Sequence, residues 1–170
     1  AIKPKAKVPA LVRDDGSVLT EVPAIASWIA MTYPAAQLLA QDIDSRVRTF
    51  EAMEYIAGTI HMNGAARAWR PGSFSDNEAS HDAIRARGKA MVMRGLDVMA
   101  QTLAGKDWLT GAYSIADPFL FFIEYWAKEK VGYVMPSAVE AHYLRMLERP
   151  AVQRALLREG LPAPQSARPK

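Results

Sequence analysis

The chain has 170 residues, half of them hydrophobic and 23% charged, with a formal net charge of +3 and no cysteine. This composition argues against wholesale disorder and is not the balance of a dedicated nucleic-acid binder. The cysteine count excludes disulfides, thiolate metal sites and a cysteine nucleophile within these residues, and it fits a reducing compartment. At about 100–200 residues per domain, the length suits one large domain or one and a half small ones, enough to bury a real core. The longest apolar run, Pro118 to Ile123, stops at Glu124, far short of the roughly 18 residues that a membrane span needs. The N-terminal Ala1-Ile2-Lys3-Pro4-Lys5 carries no apolar stretch of the signal-peptide kind.

In chain order, Val8-Pro9-Ala10-Leu11-Val12 and Ser17-Val18-Leu19-Thr20 are short β-prone runs around Asp14-Asp15-Gly16. That pattern predicts a hairpin, with Gly supplying the positive φ of the turn. A lone hairpin is marginal in water, so it must lean on another element. In the next segment, Glu21 to Ile29, Pro23 suits a first helical turn, and Ile25, Trp28 and Ile29 mark one apolar face. Pro34 ends that helix.

From Asp42 onward the periodicity is helical. Asp44 or Ser45 is expected to cap a helix running to about Trp69, with Val47, Phe50, Tyr55 and Ile56 among its apolar positions. Ser75 or Asp76 is expected to open the next, which ends near Gly105 and uses Ile84, Met91, Leu96, Met99 and Leu103. Further helices are expected from Ser114 to about Lys128, from Pro136-Ser137 to Arg149-Pro150, and from Ala151 to Glu159. Residues 161–170, with three prolines, are expected to be a loose tail. The expected fold is mainly α: a bundle of about five helices preceded by a β-hairpin and one helix. Ser114 and Asp117 have capping-box spacing. The Ser hydroxyl is expected to accept from the Asp117 amide while the carboxylate reaches back to the Ser114 amide, with Pro118 withdrawing one further donor.

Several separated segments carry a resemblance. Lys7-Val8-Pro9-Ala10-Leu11, Leu19-Thr20-Glu21 leading into Ala24-Ile25, Ser114-Ile115-Ala116-Asp117 and Arg149-Pro150-Ala151-Val152-Gln153 stand in a fixed order. Together they resemble the cytosolic glutathione S-transferase family, its bacterial beta-like members above all, over residues 3 to 160. The resemblance implies a partial thioredoxin-like domain over residues 1–40, its hairpin and last helix, then an all-helical domain over 41–160. It also implies that roughly fifty residues of the thioredoxin-like domain, a strand, a helix and a second strand, are missing from this sequence. In the family that part holds the Tyr, Ser or Cys that activates the glutathione thiol, so no catalytic residue is assigned here.

What the resemblance implies for function is a cytoplasmic homodimer. It uses glutathione as co-substrate to conjugate or reduce a small hydrophobic electrophile, in the manner of detoxification enzymes. The glutathione-binding residues it marks are Lys7, Val8, Pro9, Glu21, Val22 and His61. In the family the bond before Pro9 is cis, which frees the Val8 backbone to pair with the cysteinyl unit as an added strand does. By residue type alone, an X–Pro bond is expected to be trans. Amides at the start of the helix after Glu21 favour a carboxylate, and Glu21 itself suits an ammonium group. Val22 stands where the family usually has Ser. His61 resembles the His found beside glutathione in beta-class members; by type alone, a lone helical His is a packing or surface residue. Met62, Ala66 and Trp69 are candidates for the second-substrate pocket, or else ordinary core.

Ser114 and Asp117 are read as a structural cap, and no Ser/His/Asp catalytic arrangement is expected from them. Arg67, Arg70, Arg85, Arg87 and Arg94 are read as solvated helix faces or an anionic-ligand or dimer patch. His61, His81 and His142 give no metal-ligand spacing, and no metal, nucleic acid or membrane partner is expected. Two other readings stay open: a non-catalytic ligand-binding or protein-interaction relative on the same fold, and a helical nucleic-acid or anion binder, which would show steep salt dependence.

Overall fold

A computed structural model describes residues 8–161. Strands β1 (Ala10–Val12) and β2 (Val18–Thr20) pair antiparallel, with Ala10 opposite Thr20, Leu11 opposite Leu19 and Val12 opposite Val18. The connection is the Asp14-Asp15-Gly16 loop, closed by the Arg13 amide donating to the Ser17 carbonyl at 2.9 Å. Gly16 takes φ 79°, where a Cβ would be strained. Asp15 accepts from the Ser17 amide at 2.9 Å and also from its hydroxyl. β2 runs into α1 (Val22–Thr32) and packs on it, which supplies the support a hairpin needs. Pro23 lies in the first turn of α1, and the helix stops at Thr32, two residues before Pro34, with the Tyr33 amide donating to the Ile29 carbonyl. Ala30 and Leu39 carry this part of the chain into the common core. The segment after α1 is fastened to the helices by the Ile115 amide, which donates to the Leu38 carbonyl at 2.9 Å, and by Arg46, which donates to Ala40 and Gln41.

The long helix expected up to Trp69 forms, but in three parts. α2 (Ile43–Glu54) leads into a π-helical stretch, Tyr55–Ala65, and ends as α3 (Ala66–Trp69). Its cap is Asp42, not Asp44 or Ser45. Asp42 has extended backbone angles and its carboxylate accepts from the Ser45 amide at 2.8 Å, leaving Asp44 in the first turn, where the helix dipole favours it. Thr49, Ala52, Met53, Ile56 and Ile60 face the core. Val47 and Phe50, expected as apolar positions of the buried face, are instead 56% and 37% exposed, and with Ile43 at 75% they form an outward apolar stripe.

α4 (His81–Thr102) begins later than Ser75 or Asp76. The Ser75 hydroxyl accepts from the Asn77 amide, its carbonyl meets His81 Nε2 at 2.8 Å, and Asn77 caps a short 3₁₀ turn over Glu78–Ser80. These bonds hold the chain out of the α conformation until His81. α4 lies close against the π-helical stretch and α3. A Cβ on Gly88 would come within 2.4 Å of the Ala68 amide nitrogen, and one on Gly95 within 2.5 Å of Ile60. Close approach, and not backbone freedom, is what these two glycines provide.

α5 (Ala116–Tyr125) continues as a π-helical turn over Trp126–Lys130, followed by α6 (Ser137–Leu147) and α7 (Pro150–Arg158). Leu96, Met99 and Leu103 meet Leu120, Ile123, Val139, Tyr143 and Leu147 in one buried cluster, whereas Ile84 and Met91 are only half-buried. Lys128 pairs with Glu140, and the Tyr143 hydroxyl donates to Glu129 at 2.8 Å, so the π-helical turn is tied to α6. Lys7 and most of the expected tail lie outside the described residues.

Candidate functional site

Two groups of residues that the sequence singled out come together at separate places. The first is at the open end of the hairpin. The ladder ends with Ala10 opposite Thr20, so the chain enters β1 through Val8 and Pro9 at the same end of the hairpin from which it leaves β2 through Glu21. The Val8–Pro9 bond is cis, and Val8 is exposed. Glu21 takes φ 71° and ψ 125°, unusual for a residue with a Cβ. That conformation turns the chain sharply from strand to helix, and the Glu21 carbonyl accepts the first bond of α1, from Ile25 at 3.0 Å. In a helix the first amides have no partner within the helix. Pro23 contributes none, so Val22 and Ala24 supply the N–H groups of that turn. The mouth of the hairpin thus offers extended backbone, helix-start donors and one carboxylate within a few residues' span.

The second group is an aromatic wall. The half-buried His61 ring meets Phe122 edge-on, centroids 5.3 Å apart. Phe122 leads to Trp126 at 6.3 Å, and Trp126 to Trp69 at 5.2 Å. The wall therefore joins the π-helical stretch and α3 to α5. Burial, helped by the charge of Arg70, holds the His61 imidazole below its ordinary pKa and so neutral at pH 7. Of the other pocket candidates, Trp69 is part of the wall, Met62 is exposed and Ala66 is buried. Phe122 and Trp126 were not expected. Their signal was present as an i, i+4 aromatic pair within the helix expected from Ser114 to about Lys128.

The Ser114/Asp117 cap forms with one change. The Asp117 carboxylate accepts from the Ser114 amide at 2.7 Å and from its hydroxyl at 3.2 Å, as the reciprocal half of the box requires. The Ser hydroxyl, however, accepts from Ala116 and not from Asp117. The first turn is tight, with the Asp117 amide donating to the Ser114 carbonyl at 3.2 Å, so the hydroxyl meets the amide two residues on. Asp117 also accepts from the Leu109 amide at 3.0 Å and faces His142 Nε2 at 3.2 Å. The other ring nitrogen of His142 lies 2.8 Å from Glu124. Asp117, Glu124 and His142 are all fully buried. Sequence reading missed this trio; its one visible trace was a charged residue, Glu124, inside an apolar run.

Arg70, Arg85, Arg87 and Arg94 are exposed on helix surfaces, while Arg67 is half-buried over the Phe74 ring at 4.4 Å. Among the described residues, no group of three or more His, Asp or Glu side chains is arranged to hold a metal ion, and no helix is long and apolar enough to cross a membrane.

Comparison with known proteins places this architecture. The chain is 35% identical over 164 residues to glutathione S-transferase GstA of Escherichia coli O157:H7, covering 95% of this chain and 78% of that protein. Among solved structures, a sphingomonad glutathione S-transferase complexed with glutathione superposes with a TM-score of 0.80 at 32% identity, over 95% of this chain and 78% of that one. The bacterial beta class enzyme of Sphingomonas chungbukensis gives 0.82 at 31%, with the same coverage. No family model matches the sequence. The chain belongs to the glutathione S-transferase family. The mainly helical fold with its two-stranded sheet is that family's fold.

Proposed function

We propose that the hairpin mouth binds glutathione and that the intact protein conjugates or reduces hydrophobic electrophiles with it. The observation that carries this reading is that Val8 and Pro9 enter the hairpin at the same end where Glu21 leads into the N-terminus of α1. Glutathione is an extended peptide with a zwitterionic γ-glutamyl end. The Val8 backbone suits its cysteinyl unit as an added strand. The Val22 and Ala24 amides suit the γ-glutamyl carboxylate, because a helix N-terminus presents donors and positive dipole to an anion. Glu21 suits the γ-glutamyl ammonium, and Lys7 the far carboxylate. Val22, unlike a Ser there, leaves the contact to the backbone alone. Solved relatives with glutathione bound support the assignment.

The aromatic wall of Phe122, Trp126 and Trp69, edged by neutral His61, suits an apolar electrophile, with Met62 and Ala66 the further pocket residues we assign. The thiol-activating group is assigned to none of these residues. The reading also divides the chain near residue 40 into a thioredoxin-like part and a helical part, and places the protein in the cytoplasm. The exposed Ile43, Val47 and Phe50 stripe is the face we assign to homodimer contact.

The test is calorimetric titration of glutathione into this chain, with Glu21→Ala as control. Loss of a charged hydrogen-bonding partner is worth about 1.5–3 kcal/mol, so Glu21→Ala should weaken binding roughly tenfold or more. Unchanged affinity in Glu21→Ala would refute the site. The alternative, a non-catalytic binding relative, is favoured by Val22 and would show glutathione binding without turnover of a chlorodinitroarene.

A further inference from the structure

The seam between α5 and α6 holds chemistry that the glutathione site does not use. His142 is fully buried, and each of its ring nitrogens faces a carboxylate: Nδ1 lies 2.8 and 3.0 Å from the two Glu124 oxygens, and Nε2 lies 3.2 Å from Asp117 Oδ1. A neutral imidazole has one N–H and so can donate to only one of them. The other nitrogen would then set its lone pair against carboxylate oxygen. Both contacts are hydrogen bonds only if the trio holds one further proton, either on the imidazole or on Glu124, whose O–H would then donate to Nδ1. The geometry of the seam therefore requires a proton.

The trio also bears a mechanical load. Through Asp117 it accepts the Leu109 and Ser114 amides, which belong to the 103–115 segment between α4 and α5. Trp108 of that segment lies edge-on to the His142 ring, with centroids 5.8 Å apart. The same segment is gripped from outside: Arg145 of α6 donates to the Asp107 carbonyl at 2.7 Å and pairs with its carboxylate at 2.9 Å, and Arg149 sits 3.3 Å over the Tyr113 ring.

We propose that Asp117, His142 and Glu124 form a proton-held latch, which fastens the 103–115 segment and α6 to α5 while the shared proton is in place and frees the segment when alkali removes it. Burial acts to lower the His142 pKa, but hydrogen bonds and charge from Asp117 and Glu124 outweigh it and lift the group to about 9. Burial raises Glu124 to about 7, eased by His142 and reinforced by the negative charges of Asp117 and Glu140. In the same segment burial raises the Tyr113 pKa, with Arg149 opposing and Asp117 reinforcing the shift, while the Asp107 carboxylate is paired with Arg145 and Lys106 is the segment's other charged group. The two shifts of the trio share a sign, since the folded protein binds protons more tightly than the unfolded chain. Stability from the latch is complete below the ordinary histidine pKa and is lost as pH rises through about 9.

The test is hydrogen exchange of the full chain at pH 7 and pH 10, with rates in the 103–115 segment normalised to those of α2 in the same molecule. The informative variant is Glu124→Gln. Its side-chain amide donates to Nδ1 of a neutral imidazole and supplies the same bond with no proton to lose. In the native chain, relative exchange of 103–115 should rise about 70-fold between pH 7 and pH 10, the linkage expected of a group at the ordinary histidine pKa in the open segment and at about 9 in the closed one. In Glu124→Gln it should stay at its pH 7 value. A constant ratio in the native chain would overturn the latch. So would an unchanged pH response in Glu124→Gln, or a variant already open at pH 7.

Discussion

Replacing Asp117 with Ala should be the most costly single truncation in this structure, and the size of the loss can be worked from its bonds. The side chain accepts from the Leu109 amide at 3.0 Å, the Ser114 amide at 2.7 Å and the Ser114 hydroxyl at 3.2 Å, and faces His142 Nε2 at 3.2 Å. The hydroxyl can rotate to another partner, but the two amides cannot. Two orphaned buried donors cost about 1–3 kcal/mol each. Removing one partner of a buried ionic group costs about 3–5 kcal/mol on its own account. These overlap, since one carboxylate serves all of them, and a total of about 4–6 kcal/mol is the reasonable sum. Ser114→Ala loses the hydroxyl that accepts from Ala116 and donates to Asp117, with both buried amides kept, an N-cap loss of about 0.5–2 kcal/mol. In urea, with a slope of about 2 kcal/mol/M, the midpoint of Asp117→Ala should fall about 2–3 M, and that of Ser114→Ala less than about 1 M. Equal midpoints for the two variants, followed by far-ultraviolet circular dichroism, would refute the reasoning that Asp117 does more than cap a helix.

Gly88→Ala should destabilise by about 1–3 kcal/mol, because its Cβ would meet backbone atoms of α3 that cannot step aside. Gly95→Ala meets only the Ile60 side chain and should cost less; thermal melts of the two variants check the order. The His61 ring proton should titrate below the ordinary histidine pKa in an NMR series. Arg70→Ala should move the midpoint up only part of the way, since burial is the larger cause. Overall stability measured by urea between pH 6.5 and 9 should fall by at most about 1.4 kcal/mol per pH unit as the latch proton is lost from the unfolded chain first, and Glu124→Gln should flatten that slope. Phe50→Glu, placed on the exposed stripe, should leave the circular dichroism spectrum intact while halving the mass by light scattering; an unchanged mass would remove that stripe from the dimer contact.

Legibility differed by the range of the interaction. The hairpin, Gly16, Pro23 and the order of the helices were readable because turn chemistry and 3.6-residue periodicity are local. The position of Asp42 as cap was missed by two residues because Asp42, Asp44 and Ser45 are all good caps, and only backbone angles choose among them. Val47 and Phe50 show a limit of another kind. Apolar residues at helical spacing mark a face to be covered, and the sequence does not say whether the cover is the same chain or a second one. The site split in the same way. Val8, Pro9, Glu21 and Val22 were picked out through short local motifs, and they lie at one end of the hairpin. The aromatic wall and the buried trio are assembled from helices far apart in the chain, which no spacing rule joins.

The π-helical stretch over Tyr55–Ala65 has a consequence for how this protein can change. A π turn closes bonds five residues back, as the Ala66 amide does onto His61, so the stretch holds more residues than an α-helix of equal rise would need. It is in effect a store of chain length inside a helix. Deleting one residue there need not break the helix, as it would in an ordinary core helix; the slack can be taken up by tightening toward the α form. The tightening takes up turn as well as length: a deletion in an α-helix rotates everything after it by roughly 100°, whereas loss of a π turn's extra residue leaves Trp69 in phase with Trp126. What such a deletion would alter is the stretch itself, His61 included. Here chain length can vary where most helices permit only substitution.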